Sequence, residues 1–164
     1  GNTRLYGRLT PREVLRYFGR LYGLDRRRID QRTDELAGLL DMGPFLNRRC
    51  ETLSTGQTQK VSIARVILHD PPVLILDEPT LGLDILTSRA IIDFVLDARA
   101  RGRCIIYSTH YMTEAERLCD RVGLIYNGRI AALGTRDELC ARTQTDNLHD
   151  AFLQTVATER EAAA

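Results

Sequence analysis

Hydrophobic residues in the first 52 positions recur at helical intervals. Thr10 and Glu13 form a capping box around Pro11, and this pattern predicts a helix that ends near Gly23. A second helix is predicted from about Asp25 to Asp41, because apolar residues return every three or four positions. The positions that we expect to face inward are Leu15, Phe18, Leu21, Tyr22, Ile29, Leu36, Leu39 and Leu40.

Short, unbroken apolar runs replace this pattern beyond Leu53. Residues 73–76 and 104–107 are such runs, and a helical pattern over residues 85–101 lies between them. A run that is apolar at every position is typical of a parallel strand buried on both faces. Another helix, from Ser54 to about His69, precedes the first run. The order of strand, helix and strand therefore predicts a parallel sheet.

An Asn127-Gly128 pair marks a β-hairpin in the last third of the chain. It joins the apolar runs 121–126 and 129–133, and Asn-Gly is the strongest sequence signal for a type I′ turn. Short helices are predicted at 112–119, after Thr135 and at 148–156, with a frayed tail over 159–164. The chain is thus predicted to be an α/β protein with an α-helical part in front of a parallel sheet and a C-terminal β-hairpin.

Composition narrows the class of protein. The 164 residues carry a net charge of +1, with 43% hydrophobic and 27% charged residues, which is typical of a globular domain and gives no ground for a nucleic-acid partner. No apolar run approaches the ~18 residues that span a membrane. The four cysteines form no C-x-x-C pair, which favours reduced thiols in a cytosolic protein.

Three polar clusters lie where open α/β sheets bind ligands, at a helix amino terminus and at the carboxyl ends of strands. Small residues over 54–57 leave backbone N–H groups open to an anion. Asp77 and Glu78 follow the first strand, where one carboxylate suits Mg²⁺ held through water and the other suits an attacking water. His110 follows the second strand, where an imidazole can contact a phosphate or relay a proton.

Each cluster also has a simpler interpretation. Ser54 alone is a plain helix cap, and Asp77 with Glu78 can be no more than a charged exit from a strand. A single histidine at a strand end, such as His110, is more often structural than functional. The three clusters are specific only in combination and in this order.

In that combination the chain resembles the nucleotide-binding domain of ABC transporters, from about Leu5 to Phe152. Residues 53–57, Leu-Ser-Thr-Gly-Gln, resemble the family's signature, with Thr55 in place of the commoner glycine. Residues 73–80 resemble its Walker B motif with the catalytic glutamate, and residues 82–84 resemble its D-loop. The fold that this resemblance implies is a partial P-loop NTPase-type parallel sheet.

The resemblance also implies a role for each candidate residue. ATP would lie between two subunits, and the signature of one would contact the γ-phosphate of the nucleotide held by the other. Asp77 would hold Mg²⁺ through water, Glu78 would polarise the attacking water and His110, as the switch histidine, would sense the γ-phosphate. The residues implied in nucleotide binding are Ser54, Thr55, Gly56, Gln57 and Asp84, the last communicating across the dimer.

Partners and location follow from the same resemblance. The implied partners are a second ABC nucleotide-binding subunit and transmembrane permease subunits, through which the protein would lie on the cytoplasmic face of a membrane. Segments 5–13, 128–135 and 147–152 resemble the branch that exports sodium or drugs. We expect a helical subdomain over residues 1–52, an ATPase core over 53–142 and a C-terminal helix with its tail over 143–164.

One motif of the family is missing from these residues. The phosphate loop, G-x-x-x-x-G-K-[ST], needs a lysine, and the only lysine, Lys60, lies within the signature helix without a glycine loop before it. The family's Gln loop would fall at Gly1. The chain therefore resembles the carboxyl-terminal two-thirds of the domain, and we expect no independent ATP turnover from it. Two alternatives stay open: a non-catalytic module that pairs with an intact ABC subunit, and a soluble ABC ATPase outside transport.

Overall fold

The computed structural model describes residues 5–162, with side chains to residue 160. The position expected for the Gln loop, Gly1, lies outside the described residues. The chain forms two compact units that divide after Ser108. The α-helices and strands of the first unit match predicted elements to within a few residues, whereas its two 3₁₀ turns were not predicted. These elements are α1 (Pro11–Leu21), α2 (Arg26–Leu39), two 3₁₀ turns (Gly43–Phe45 and Cys50–Thr52), α3 (Thr55–Ile67), β1 (Val73–Asp77), α4 (Ile85–Ala100) and β2 (Cys104–Ser108).

Side chains satisfy the backbone at the start of α1 and at the end of α3. Thr10 and Glu13 make the predicted capping box, and Pro11 is the first helical residue. Arg32 of α2 ties the first helices to α3, because its guanidinium donates hydrogen bonds to the carbonyls of Ile67 and Leu68 at the end of that helix. These bonds satisfy carbonyls that a helix end otherwise leaves without partners.

The helices of the first unit bury one face each, although not every predicted position is buried. Leu15, Ile29, Leu36 and Leu40 lie in the core as predicted. Leu21, Tyr22 and Leu39 were predicted to face inward, and the structure exposes them by 64%, 49% and 38%. Leu21 and Leu39 are the last residues of α1 and α2, and Tyr22 is the C-cap of α1, where its ring stacks on His69 with the centroids 3.8 Å apart.

β1 and β2 are parallel neighbours, and they bury one face only. Their register pairs Val73 with Cys104 and Asp77 with Ser108. The prediction of strands buried on both faces is wrong for the described residues: Leu74 and Leu76 are buried, while Ile75 is 68% and Ile106 57% exposed. Successive side chains of a strand point to opposite faces, so cover on one side of the sheet buries only every second residue.

The second unit is built on the predicted hairpin. Its elements are α5 (Met112–Leu118), β3 (Val122–Tyr126), β4 (Arg129–Gly134), α6 (Arg136–Thr143) and α7 (Leu148–Ala162). Asn127 and Gly128 both have positive φ, as a type I′ turn requires. A small core of Ala115, Val122, Leu124, Leu139 and Leu148 joins the hairpin to the helices.

The tail of the chain is more helical than its sequence predicts. Fraying was expected over residues 159–164, yet α7 continues to Ala162. Arg160 supplies a physical reason, because its Nε donates a hydrogen bond of 2.9 Å to the Tyr126 hydroxyl and its guanidinium lies 5.8 Å from the ring centroid. The prediction is therefore wrong for 159–162, and residues 163–164 lie outside the described range.

Candidate functional site

The signature segment begins α3. Ser54 is the N-cap: its Oγ accepts the Gln57 N–H at 3.2 Å, and Gln57 Oε1 accepts the Ser54 N–H at 3.1 Å. This reciprocal pair holds the first turn of the helix in place. Ser54 and Thr55 are exposed, so the positive end of the helix is open to solvent and to an anion.

Gly56 of α3 lies close to Thr87 of α4. A Cβ at this position would lie 3.0 Å from the Oγ1 atom and 3.1 Å from the Cγ2 atom of Thr87. Thr87 is buried, and it is held in place by its bonds to Asp84. A side chain at position 56 would therefore require Thr87 to shift by a few tenths of an ångström, which gives glycine a packing reason at this position.

Asp84, the D-loop candidate, caps α4. Its Oδ1 accepts the Thr87 N–H at 2.9 Å, and its Oδ2 accepts the Thr87 hydroxyl at 2.7 Å. These two bonds, the backbone one first, lower the pKa of Asp84 below its usual value. Thr87 thus contacts the signature glycine on one side and the D-loop carboxylate on the other. Its role was not predicted from the sequence, because the contact joins helices that are far apart in the chain.

The Walker B candidates lie at the carboxyl end of β1, beside the end of β2. Ser108 Oγ donates a hydrogen bond of 2.6 Å to Asp77 Oδ1. The Glu78 N–H donates to the same Oγ at 2.9 Å and to the Ser108 carbonyl at 3.2 Å. Glu78 has φ +45°, a left-handed conformation that is unusual for a residue other than glycine. Asp77 is exposed and Glu78 half-buried, so both carboxylates lie near the surface.

A bond from α3 reaches the loop after Glu78. Gln59 Nε2 donates to the Pro79 carbonyl at 3.2 Å. The same helix therefore carries the signature at its first turn, packs against α4 at Gly56 and supports the loop after β1. Gln59 was not among the residues singled out from the sequence, since an amide in mid-helix gives no signal of its distant partner.

His110 lies in the second unit, so it is described apart from the carboxylates. It is exposed, and its ring centroid lies 4.0 Å from that of Tyr111 with a tilt of 42°. Thr109 fixes the turn around it: its hydroxyl donates to Glu114 at 2.9 Å and accepts the Tyr111 N–H at 3.0 Å. The first unit holds all the other predicted site residues.

Comparison with known proteins identifies the family. The family model described as "ABC transporter" matches residues 2–81. The ABC transporter ATP-binding protein NatA of Bacillus subtilis is 39% identical over 153 residues, which are 93% of this chain and 62% of NatA. A solved structure titled "Structure of ATP binding subunit of ABC transporter" superposes with a TM-score of 0.84 at 33% identity, covering 93% of this chain and 65% of that one. The chain belongs to the ABC transporter ATP-binding family.

Family membership confirms the predicted α/β fold with its parallel sheet. A second relative, the linearmycin resistance ATP-binding protein LnrL of Bacillus subtilis, is 35% identical over 144 residues, which are 88% of this chain and 46% of LnrL. The chain therefore spans less than two thirds of the length of these relatives. Within residues 5–162, no helix is long and apolar enough to cross a membrane.

ABC ATP-binding domains bind ATP in general. The sequence resemblance implies Mg²⁺ beside the nucleotide, and the acidic residues of this chain would have to bind it. Among the described residues, no group of three or more His, Cys, Asp or Glu could enclose a cation. Mg²⁺ rarely needs such a cage, because it keeps several waters and binds one or two carboxylates together with substrate phosphates. Asp77, exposed at a strand end and oriented by Ser108, fits that mode of binding.

A cavity of about 470 Å³ lies elsewhere in the first unit. Its lining comes from α2, the end of α3, β1, α4 and the segments that join α3 to β1 and α4 to β2, and it includes none of the candidate site residues. Three arginines border it, and each is paired with a neighbouring carboxylate: Arg32 and Arg103 with Asp70, and Arg101 with Asp97. The cavity is therefore lined by residues other than those of the candidate site.

Proposed function

We propose that the chain is the ATP-binding and ATP-hydrolysing part of an ABC transporter subunit that powers export of ions or drugs across a membrane. The observation that carries the proposal is the junction of Asp77, Glu78 and Ser108 at the ends of two parallel strands. Phosphoryl transfer needs mainly positioned charges and hydrogen-bond donors, and this junction supplies them in one unit with the signature helix.

The signature residues would act on a nucleotide held by a second ABC subunit. Ser54 and Gly56 would contact its γ-phosphate, with Thr55 and Gln57 completing the turn. The open amino terminus of α3 supports this role, because backbone N–H groups and the helix dipole favour a phosphate. Asp84, held at the start of α4, would respond to the same partner across the interface.

The Walker B residues would act on a nucleotide bound to their own subunit. Asp77 would hold Mg²⁺ through water, and the bound Mg²⁺ would neutralise charge on the phosphates. Glu78 would polarise the attacking water as a general base. His110 would contact the γ-phosphate as the switch histidine, an assignment that rests on the family resemblance.

The proposed partners are a second ABC subunit and transmembrane permease subunits. These permeases would hold the protein at the cytoplasmic face of the membrane.

The division into a helical subdomain over 1–52, an ATPase core over 53–142 and a C-terminal helix over 143–164 stays a prediction. Export is supported by the branch-specific segments of the sequence, and a link to drugs is supported by the name of LnrL, a linearmycin resistance protein.

A second candidate is a non-catalytic module that supplies only its signature to an intact ABC subunit. Its support is specific: the 164 residues contain Leu-Ser-Thr-Gly-Gln but no G-x-x-x-x-G-K-[ST]. In this role Ser54 and Gly56 would matter, while Asp77 and Glu78 would not.

One experiment separates the two candidates. A phosphate-loop segment from an ABC ATP-binding subunit is joined to the amino terminus, and steady-state hydrolysis of Mg-ATP is measured with and without Asp77→Asn. Asp41→Asn is a matched control, because Asp41 is exposed at φ +51°, where asparagine is well tolerated. We expect hydrolysis in the parent chimera and in the control, and its loss with Asp77→Asn. Equal rates in all three would contradict the proposed function.

A further inference from the structure

We propose that Ser108 is a positioning residue of the Walker B site, which orients the Asp77 carboxylate and holds the backbone of Glu78. The proposal rests on the function proposed above. Ser108 touches neither nucleotide nor metal in this role and acts through its two neighbours.

A single hydroxyl makes both contacts. Ser108 Oγ donates to Asp77 Oδ1 at 2.6 Å and accepts the Glu78 N–H at 2.9 Å. One O–H donor and one acceptor lone pair are thus both used, and two hydrogen bonds in series polarise each other. The donated bond fixes the rotation of the Asp77 carboxylate and engages one of its two oxygens.

The accepted bond acts on the backbone. Glu78 has φ +45°, which costs free energy for a residue with a side chain and persists only where neighbours hold it. The Glu78 N–H donates to two acceptors of Ser108, the hydroxyl and, at 3.2 Å, the carbonyl. The direction in which the Glu78 side chain leaves the strand therefore depends on the last residue of β2.

Register explains why this position can serve. β1 and β2 are parallel with Asp77 opposite Ser108, so the hydroxyl reaches the end of the neighbouring strand. A partner of a metal-binding carboxylate commonly changes metal affinity or activity by about 10–100-fold when it is removed. We expect an effect in that range for Ser108.

The test uses two variants of this residue. Ser108→Ala removes the hydroxyl and leaves the backbone carbonyl, whereas Ser108→Thr keeps the hydroxyl and suits a strand. Thr155→Ala is the control, because the Thr155 hydroxyl donates to the Ala151 carbonyl of its own helix, α7. The first readout is amide hydrogen exchange at Glu78 in the chain itself, without nucleotide. We expect about tenfold faster exchange in Ser108→Ala, with Ser108→Thr and Thr155→Ala close to the parent.

The second readout is the Mg²⁺ concentration that gives half-maximal ATP hydrolysis in the phosphate-loop chimera. We expect Ser108→Ala to raise it at least tenfold and Ser108→Thr to restore it. Unchanged exchange or an unchanged Mg²⁺ requirement in Ser108→Ala would overturn the proposal, as would a Ser108→Thr variant that folds and behaves like Ser108→Ala. If the parent chimera hydrolyses no ATP, the proposed function itself is wrong, and the Ser108 proposal, which depends on it, is wrong as well. If Asp77→Asn abolishes hydrolysis while Ser108→Ala changes nothing, only the Ser108 proposal is lost.

Discussion

Asp77 and Glu78 are adjacent carboxylates with different backbone settings. Asp77 is the last residue of β1, and Glu78 begins the loop in a left-handed conformation. Neighbouring residues at a strand end direct their side chains differently, so one change at each position separates metal binding from hydrolysis.

We predict that Glu78→Gln lowers ATP hydrolysis by about 10²–10⁴-fold in the phosphate-loop chimera, because glutamine keeps size and hydrogen bonding but is not a general base. Mg-ATP should still bind, and nucleotide-bound dimers should accumulate. Asp77→Asn should instead weaken Mg-ATP binding. Steady-state ATPase assays and nucleotide-dependent sedimentation measure both effects. A Glu78→Gln rate within about threefold of the parent, far below that range, would remove Glu78 from the catalytic role.

Gly56 offers a second residue-scale prediction. We expect Gly56→Ala to lower the free energy of unfolding by about 1–3 kcal/mol, because its Cβ would meet Thr87, which two hydrogen bonds to Asp84 hold in place. Gly38→Ala in α2 is the matched control, since its added Cβ would point into open space. That change should raise stability by about 0.5–1 kcal/mol through helix propensity. Urea unfolding measures both, and equal shifts in the two variants would refute the contact.

At the scale of elements, a cap links helix stability to pH. The Thr87 bonds lower the pKa of the Asp84 carboxyl in the folded chain, so this group stabilises the fold above its unfolded pKa of about 3.9. That contribution disappears as the pH falls through the lower, folded pKa. We predict that the urea midpoint of the parent falls in this acid range more than that of Asp84→Asn, which still caps the helix but does not titrate. Parallel pH profiles for the two proteins would contradict this.

The helices and strands also show which features could be predicted from the sequence. Helix starts at Thr10, Ser54 and Thr135 were predictable, because a capping box lies within four consecutive residues. The exposure of Ile75 was not, since an apolar run does not tell which face of a strand has neighbours. The role of Ser108 was also beyond the sequence, because it depends on the register between two strands that are about thirty residues apart.

At the scale of the whole molecule, we predict that this chain binds nucleotide weakly. The 164 residues lack the G-x-x-x-x-G-K-[ST] motif that supplies most phosphate contacts in this fold. Calorimetric titration with Mg-ATP should show no dissociation constant tighter than about 1 mM, which corresponds to roughly −4 kcal/mol. The phosphate-loop chimera is the positive control. A micromolar constant for the unmodified chain would contradict the expectation.

Each of the two units exposes an apolar sheet face. In the first unit Val73, Ile75 and Ile106 are exposed, and in the second Ile125 and Ile130 stand opposite each other in the hairpin at 65% exposure each. Contiguous apolar surface of this kind, next to strand edges, favours association between molecules. We therefore predict that the chain self-associates as its concentration rises.

Two threonine substitutions test this prediction without disturbing the strands, because threonine retains a high preference for β-structure. Ile75→Thr and Ile130→Thr should each reduce self-association, measured by light scattering over a range of concentrations. Leu74→Thr is the contrasting variant: Leu74 is buried on the opposite face of β1, so its loss should lower the unfolding midpoint. A parent that stays monomeric at every concentration would show that these apolar faces do not drive association in solution.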